Sequence, residues 1–137
     1  METTGSVPEK VAWVLVRDGR VLVTRDEDRD LFYVPGGMRE PGESDSETLV
    51  REIEEELQAV IVAGTLVHFG TFETRSDHGG RVEFRMICYA AVHRGALNPA
   101  GEIAELAWFG YGQRDRVSPV DRMVFDALHM DGPAALT

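Results

Sequence analysis

One stretch constrains this chain more than any other: Gly36–Ala59, GGMREPGESDSETLVREIEEELQA. It opens on a double glycine, passes a Pro-Gly turn and enters a segment loaded with glutamate. Ser44 followed by Glu47 is a capping-box pattern, which predicts a helix starting near Asp45. Leu49, Ile53 and Leu57 then recur every four residues, with Val50 at the margin, so one stripe of that helix is apolar and seeks burial. Glu52, Glu55 and Glu56 stand at i, i+3 and i+4 and gather their carboxylates on one face. Like charges at this spacing cost about 0.2–0.5 kcal/mol per pair on an isolated helix. A charge run is ordinarily a solvated face. Beside a glycine loop the other reading is a hard-oxygen site, where Mg²⁺ or Mn²⁺ relieves the repulsion.

The wider pattern favours the second reading. Gly37, then Glu43, then Arg51-Glu52-Ile53-Glu54-Glu55-Glu56 resembles the signature of the Nudix hydrolases. Six fixed positions at about 7% usage each coincide by chance about once in 10⁷ starting points. The resemblance implies an α/β fold, a Nudix-type α/β/α sandwich around a mixed β-sheet. It also implies Mg²⁺-dependent hydrolysis of a nucleoside diphosphate linked to another moiety. Carried over by position, Glu55 and Glu56 are the principal metal ligands, with Glu52 a third ligand or the base that orients water. The Gly36 carbonyl completes the shell. Gly37, Glu43 and Arg51 support the loop–helix geometry, the last two through an ion pair, and Glu54 faces solvent. Many relatives add a carboxylate near the last strand; Glu102 and Glu105 are the candidates, Glu102 preferred. One departure stands out. Gln58 and Ala59 occupy the places of a glycine and a bulky apolar residue, which leaves the helix exit open.

At 137 residues the chain fits one domain, with a core expected over about residues 11–128. A formal charge of −10 argues against nucleic acid polymers and anionic membranes as partners, while a small-molecule nucleotide remains compatible. No apolar run is long enough to span a bilayer. Met1–Lys10 lacks a basic segment followed by an apolar core, so the expected location is the cytoplasm, as a monomer or homodimer. Lys10 is the only lysine, and Cys88, the only cysteine, lies in an apolar run that reads as a buried strand.

Along the chain, Val11–Val16 and Arg20–Arg25 read as a hairpin around Asp18-Gly19. Leu31–Val34 reads as a short strand stopped by Pro35. Val60–Thr74 is extended with a break near Gly64, Asp77-His78-Gly79-Gly80 is turn chemistry, and Val82–His93 is a long strand. Glu105–Phe109 is a last strand. Ser118-Pro119 opens a second helix whose apolar face is Val120, Met123, Val124, Ala127 and Leu128. The tail from Asp131 to Thr137 reads as frayed.

Specificity has to come from outside the glutamate helix. Arg25, Arg75 and Arg85 alternate with apolar residues and are candidates for phosphate. Phe32, Tyr33, Phe72, Phe84 and Trp108 are candidates for stacking on a base, though each taken alone is more often core; His78 is a turn histidine. The leading substrate class is a (d)NTP, in a MutT-like housecleaning reaction. ADP-ribose-hydrolysing relatives often carry a proline some fifteen residues past the signature, and dinucleoside-polyphosphate relatives a tyrosine. Glu73, Thr74 and Arg75 stand there instead. The alternatives are an ADP-ribose or nucleotide-sugar pyrophosphatase and, from another class, a non-catalytic nucleotide sensor.

Overall fold

The computed structural model describes residues 7–76, 79–130 and 136–137. In chain order it contains β1 (Glu9–Trp13), β2 (Val16–Arg17), β3 (Arg20–Asp26), β4 (Gly36–Met38), α1 (Asp45–Leu57), β5 (Val60–Ile61) and β6 (Val67–Arg75). After them come β7 (Val82–Ala90), β8 (His93–Arg94), β9 (Ile103–Phe109), a 3₁₀ segment at Tyr111–Arg116 and α2 (Pro119–His129). The expectations for the first six residues, for Asp77-His78 and for residues 131–135 fall outside the described residues.

Strand β1 organises the rest. It lies between β4 and β7 in a sheet of order β4-β1-β7-β6, antiparallel to β4 and parallel to β7. A second, antiparallel sheet has the order β2-β3-β9. The run Val11–Val16, expected as one strand, is therefore divided. Val14 N–H still donates to Tyr89 O, whereas Leu15 O already accepts from Leu22 N–H in the other sheet. Alternation along β1 sorts the core into two halves. Val11 and Trp13 pack with Leu49, Ile53 and Leu57 of α1. Ala12 and Val14 pack with Val124, Phe125 and Leu128 of α2. The two helices thus cover opposite faces of a mixed sheet, an α/β/α sandwich.

Several local expectations need correcting. Leu31–Val34 makes only isolated bridges, Thr24 with Tyr33 and Phe32 with Val117; continuous pairing starts after Pro35, with the glycines themselves. On α2 the buried positions are Val120, Asp121, Val124, Phe125 and Leu128, and Met123 is exposed. A stripe through Asp121 has the same helical period, but a carboxylate in it speaks against burial from sequence alone. The tail end is docked rather than frayed: Leu136 is buried, and Thr137 N–H donates to Gly19 O at 3.0 Å. The Asp18-Gly19 hairpin has both residues at positive φ, 54° and 75°, as a two-residue turn of this hand requires.

Helix α1 starts as its capping box dictates, Ser44 Oγ accepting from Glu47 N–H and Glu47 Oε1 from Ser44 N–H. It ends at Gln58 in the left-handed region, φ 59° and ψ 23°. A non-glycine residue there costs about 1–2 kcal/mol. The exit is held because Asn98 N–H and Ala100 N–H donate to Leu57 O and Glu56 O, both at 2.9 Å. Gln58→Gly is expected to stabilise the protein by about 1 kcal/mol, raising Tm by about 3–5 °C in thermal unfolding; an unchanged or lower Tm would contradict strain at this cap.

Candidate active site

The site is built where α1 crosses the glycine strand. An added Cβ at Gly37 would lie 2.1 Å from Glu52 Cδ, and one at Gly36 (φ 151°) would lie 2.0 Å from Val11 O. The first glycine leaves room for the Glu52 carboxylate, and the second lets β4 lie flat against β1. Both positions need glycine for close approach, and Gly36 needs it for its backbone angle as well.

Arg51 organises the carboxylates. Its Nε and Nη2 donate to Glu43 at 2.7 and 2.8 Å, and Nη2 also donates to Met38 O at 3.0 Å. Its Nη1 reaches Glu52 at 3.1 Å and the more exposed Glu55 at 3.5 Å. One planar guanidinium thus ties the 38–43 loop to the helix face. It holds the Glu43 carboxyl down at about 2, helped by the Glu40 N–H. Glu54 is exposed.

Glu56 is left out of this arrangement. Its Oε1 is sealed from solvent and has no hydrogen-bond partner. Burial above all, and the neighbouring Glu52 carboxylate, push its carboxyl from 4.5 up to about 8; Lys10 and the Gly36 backbone pull the other way. A buried carboxylate oxygen with a free lone pair, beside a second carboxylate, is the donor set a hard divalent cation takes. The residues present fit such an ion. Among the described residues no three acidic, His or Cys side chains converge tightly enough to enclose one; Glu52 and Glu55 are both drawn toward Arg51. That leaves an open-sided site, in keeping with Mg²⁺, which retains waters and shares substrate phosphates.

The carboxylates form one end of a cavity of about 1170 Å³. Of the residues picked out from sequence, it brings together Gly36, Glu52, Glu55, Glu56, Glu102 and Tyr33. Glu105 is elsewhere, paired with Arg25 at 2.9 Å. Arg25, Arg75, Arg85 and Phe32 do not line the cavity. Arg75 and Arg85 are engaged by Glu73, and Arg85 also by Glu9, across the sheet. Phe32 is core, its ring centroid 4.7 Å from that of Phe109. Phe84 lines the cavity, whereas Phe72 and Trp108 do not.

Sequence reasoning missed the cavity's other polar groups. Asp121 is 1% exposed, accepting from Val34 N–H at 2.9 Å and from the Ser118 hydroxyl. Burial raises its pKa, opposed by Lys10 and by these hydrogen bonds. Lys10 donates to Val34 O at 2.6 Å, and Tyr33 donates its hydroxyl to Asp26. Asp26, Arg29 and Asp30 form one rim; Leu31, Met38, Phe84, Met86, Ile103 and Val120 supply apolar wall. The available signal was Lys10 itself, a lone lysine inside an apolar strand. Cys88 is buried, and burial pushes its thiol up to about 12, so it is inert.

Two outcomes follow from this geometry. Gly37→Ala is expected to expel the Glu52 carboxylate and abolish divalent-ion binding while circular dichroism stays native; retained binding would contradict the contact. From pH 4.5 to about 8 the folded protein keeps a proton on Glu56 that the unfolded chain has released. Stability from this group is therefore present at low pH and lost as pH rises through that window. In a chelator, wild-type Tm is expected to fall relative to Glu56→Gln between about pH 5 and 8. Parallel profiles would contradict the raised pKa.

Residues 7–128 match the family model of the NUDIX domain. The solved structure of the E. coli ORF135 protein is similar at 28% identity and a TM-score of 0.69, covering 97% of this chain and 99% of that one. The MutT NUDIX hydrolase of Burkholderia pseudomallei is similar at 19% identity and a TM-score of 0.71, covering 90% and 99%. A UDP-X diphosphatase is similar at 22% identity and a TM-score of 0.58, covering 89% and 59%. No curated protein matches the chain significantly in sequence. Among the described residues no helix is long and apolar enough to cross a membrane.

Proposed function

The chain belongs to the Nudix family, hydrolases that act on the pyrophosphate bonds of nucleoside diphosphate derivatives, and from that premise we propose that it is a Mg²⁺-dependent hydrolase of nucleoside triphosphates, with deoxynucleotides as the leading class. The observation that carries the reading is Glu56 Oε1, sealed from solvent without a hydrogen-bond partner, in a cavity that Asp121 and the apolar Leu31, Met38, Phe84 and Met86 also line.

Glu56, Glu52 and the Gly36 carbonyl would hold the ion, with Glu55 joining from the exposed side once it leaves Arg51. When bound, a divalent ion neutralises phosphate oxygens and lowers the pKa of water. The chain's own residues do the rest. Arg51 keeps Glu52 and the 38–43 loop in register. Glu102 forms no ion pair among the described residues, and its loop is tethered to the helix end through Ala100; its carboxylate is available to take the proton of the attacking water. Glu105 is committed to Arg25, so the base narrows to Glu102 or Glu52. Leu31, Tyr33, Met38, Phe84 and Met86 exclude water from the nucleoside. The buried Asp121 and Ser118 offer hydrogen bonds to the base edge.

The similarity to a UDP-X diphosphatase favours a second reading, a nucleotide-sugar or ADP-ribose pyrophosphatase. A panel of deoxynucleoside triphosphates, ADP-ribose and UDP-glucose with Mg²⁺ decides between them. Triphosphates are expected to give the highest kcat/KM, and preference for a diphosphate-linked sugar would overturn the leading reading. Glu56→Gln is expected to lower kcat by more than about a hundredfold, because even groups that only support a metal ligand cost about ten- to a hundredfold. Near-native turnover would sink the metal assignment.

A further inference from the structure

The wall of the cavity is strongly acidic, and among the described residues the cations in it are Lys10 and Arg29. Arg29 is exposed on the rim. Lys10 is partly buried at the centre of the sheet, in register with Met38 on β4 and Met86 on β7. Alternation along β1 puts it with Ala12 on the α2 face, where an apolar residue would be the ordinary choice. Its ammonium donates to Val34 O at 2.6 Å and lies 4.3 Å from the centroid of the Tyr33 ring. Among the described residues it forms no ion pair.

An ammonium group has three N–H donors. Val34 takes one and the Tyr33 ring covers part of the charge, so donor capacity faces the cavity. Taking a cation partly out of water is costly unless an anion completes it. None of the carboxylates that share its cavity pairs with it among the described residues. Glu56 of α1 and Asp121 of α2 line the same cavity as Lys10. Val34 is bracketed, its carbonyl held by Lys10 and its amide by Asp121. The ammonium therefore stands between the carboxylate end of the cavity and the Asp121 end.

A nucleotide lying with its pyrophosphate at the carboxylates and its base at Asp121 passes over this point with the phosphate attached to the ribose. We propose that Lys10 binds that phosphate, as a catalytic residue in direct contact with substrate. This rests on the nucleotide reading given above. A charge fixed by Val34 and Tyr33 needs no reorganisation as phosphate charge shifts during reaction, which is where a preorganised donor contributes most.

Lys10→Gln tests this, because it keeps an N–H donor for Val34 O and removes the charge; Lys10→Arg keeps the charge. Wild type and both variants are titrated in a chelator with a deoxynucleoside monophosphate and with its parent deoxynucleoside, followed by NMR, with Tm as the check on folding. Lys10→Gln is expected to weaken the monophosphate about ten- to a hundredfold and to leave the deoxynucleoside unchanged, with Lys10→Arg in between. With Mg²⁺ and the triphosphate panel, Lys10→Gln is expected to lose kcat/KM by a similar factor. Equal loss of both ligands would show that Lys10 only positions Val34, and wild-type affinity for the monophosphate would show that it touches no phosphate; either overturns the proposal while turnover by the wild type preserves the nucleotide reading. A wild type that hydrolyses no nucleotide in the panel overturns both.

Discussion

Glu43, Glu52, Glu55 and the Met38 carbonyl converge on the single guanidinium of Arg51. The site depends on this sharing. Without it three carboxylates on one helix and one loop repel, and the 38–43 loop has no fixed relation to α1. With it, Glu52 is set over the bare backbone of Gly37, and its neighbour Glu56 is pressed into the protein with one oxygen unpartnered. The repulsion visible in the sequence is thus not uniformly distributed. Arg51 absorbs most of it and concentrates the remainder at Glu56, where burial turns it into a raised pKa and a demand for a cation.

The sheet carries the second half of the arrangement. Odd positions of β1, Val11 and Trp13, fix α1 from one side, and Ala12, with Val14 just past the strand's end, meets α2 from the other. Lys10 continues the even series into the cavity, where Asp121 of α2 arrives from the opposite wall. The two acids Glu56 and Asp121 that line the cavity thus come from helices on different faces, and a strand only five residues long sets their relation.

What could be read from sequence follows the range of each interaction. The α1 boundaries, its apolar stripe and the Arg51–Glu43 pair are local or nearly so, and the sequence pattern contains them. Gln58 showed the limit even there: a missing glycine left the exit undecided, whereas Asn98 and Ala100, some forty residues on, satisfy the last carbonyls. The arginines were legible as charge but not as partners. Arg25 is bound by Glu105, eighty residues away, and Arg85 by Glu9 and Glu73, pairings that only the β3–β9, β1–β7 and β6–β7 registers create. Asp121 was passed over because its burial depends on Val34 N–H and Ser118, contacts that a helical wheel does not show.

The central claim is that Glu56, isolated by the Arg51 network and seated on the glycine strand, is the primary ligand of a divalent ion. A crystal grown with Mn²⁺ and a non-hydrolysable triphosphate, with the metal located by its anomalous scattering, tests this most directly. The account predicts an ion bound directly to Glu56, with the Gly36 carbonyl and Glu52 in the same shell and the triphosphate on its open side. An ion bound by other carboxylates, with Glu56 still sealed and unliganded, would contradict it.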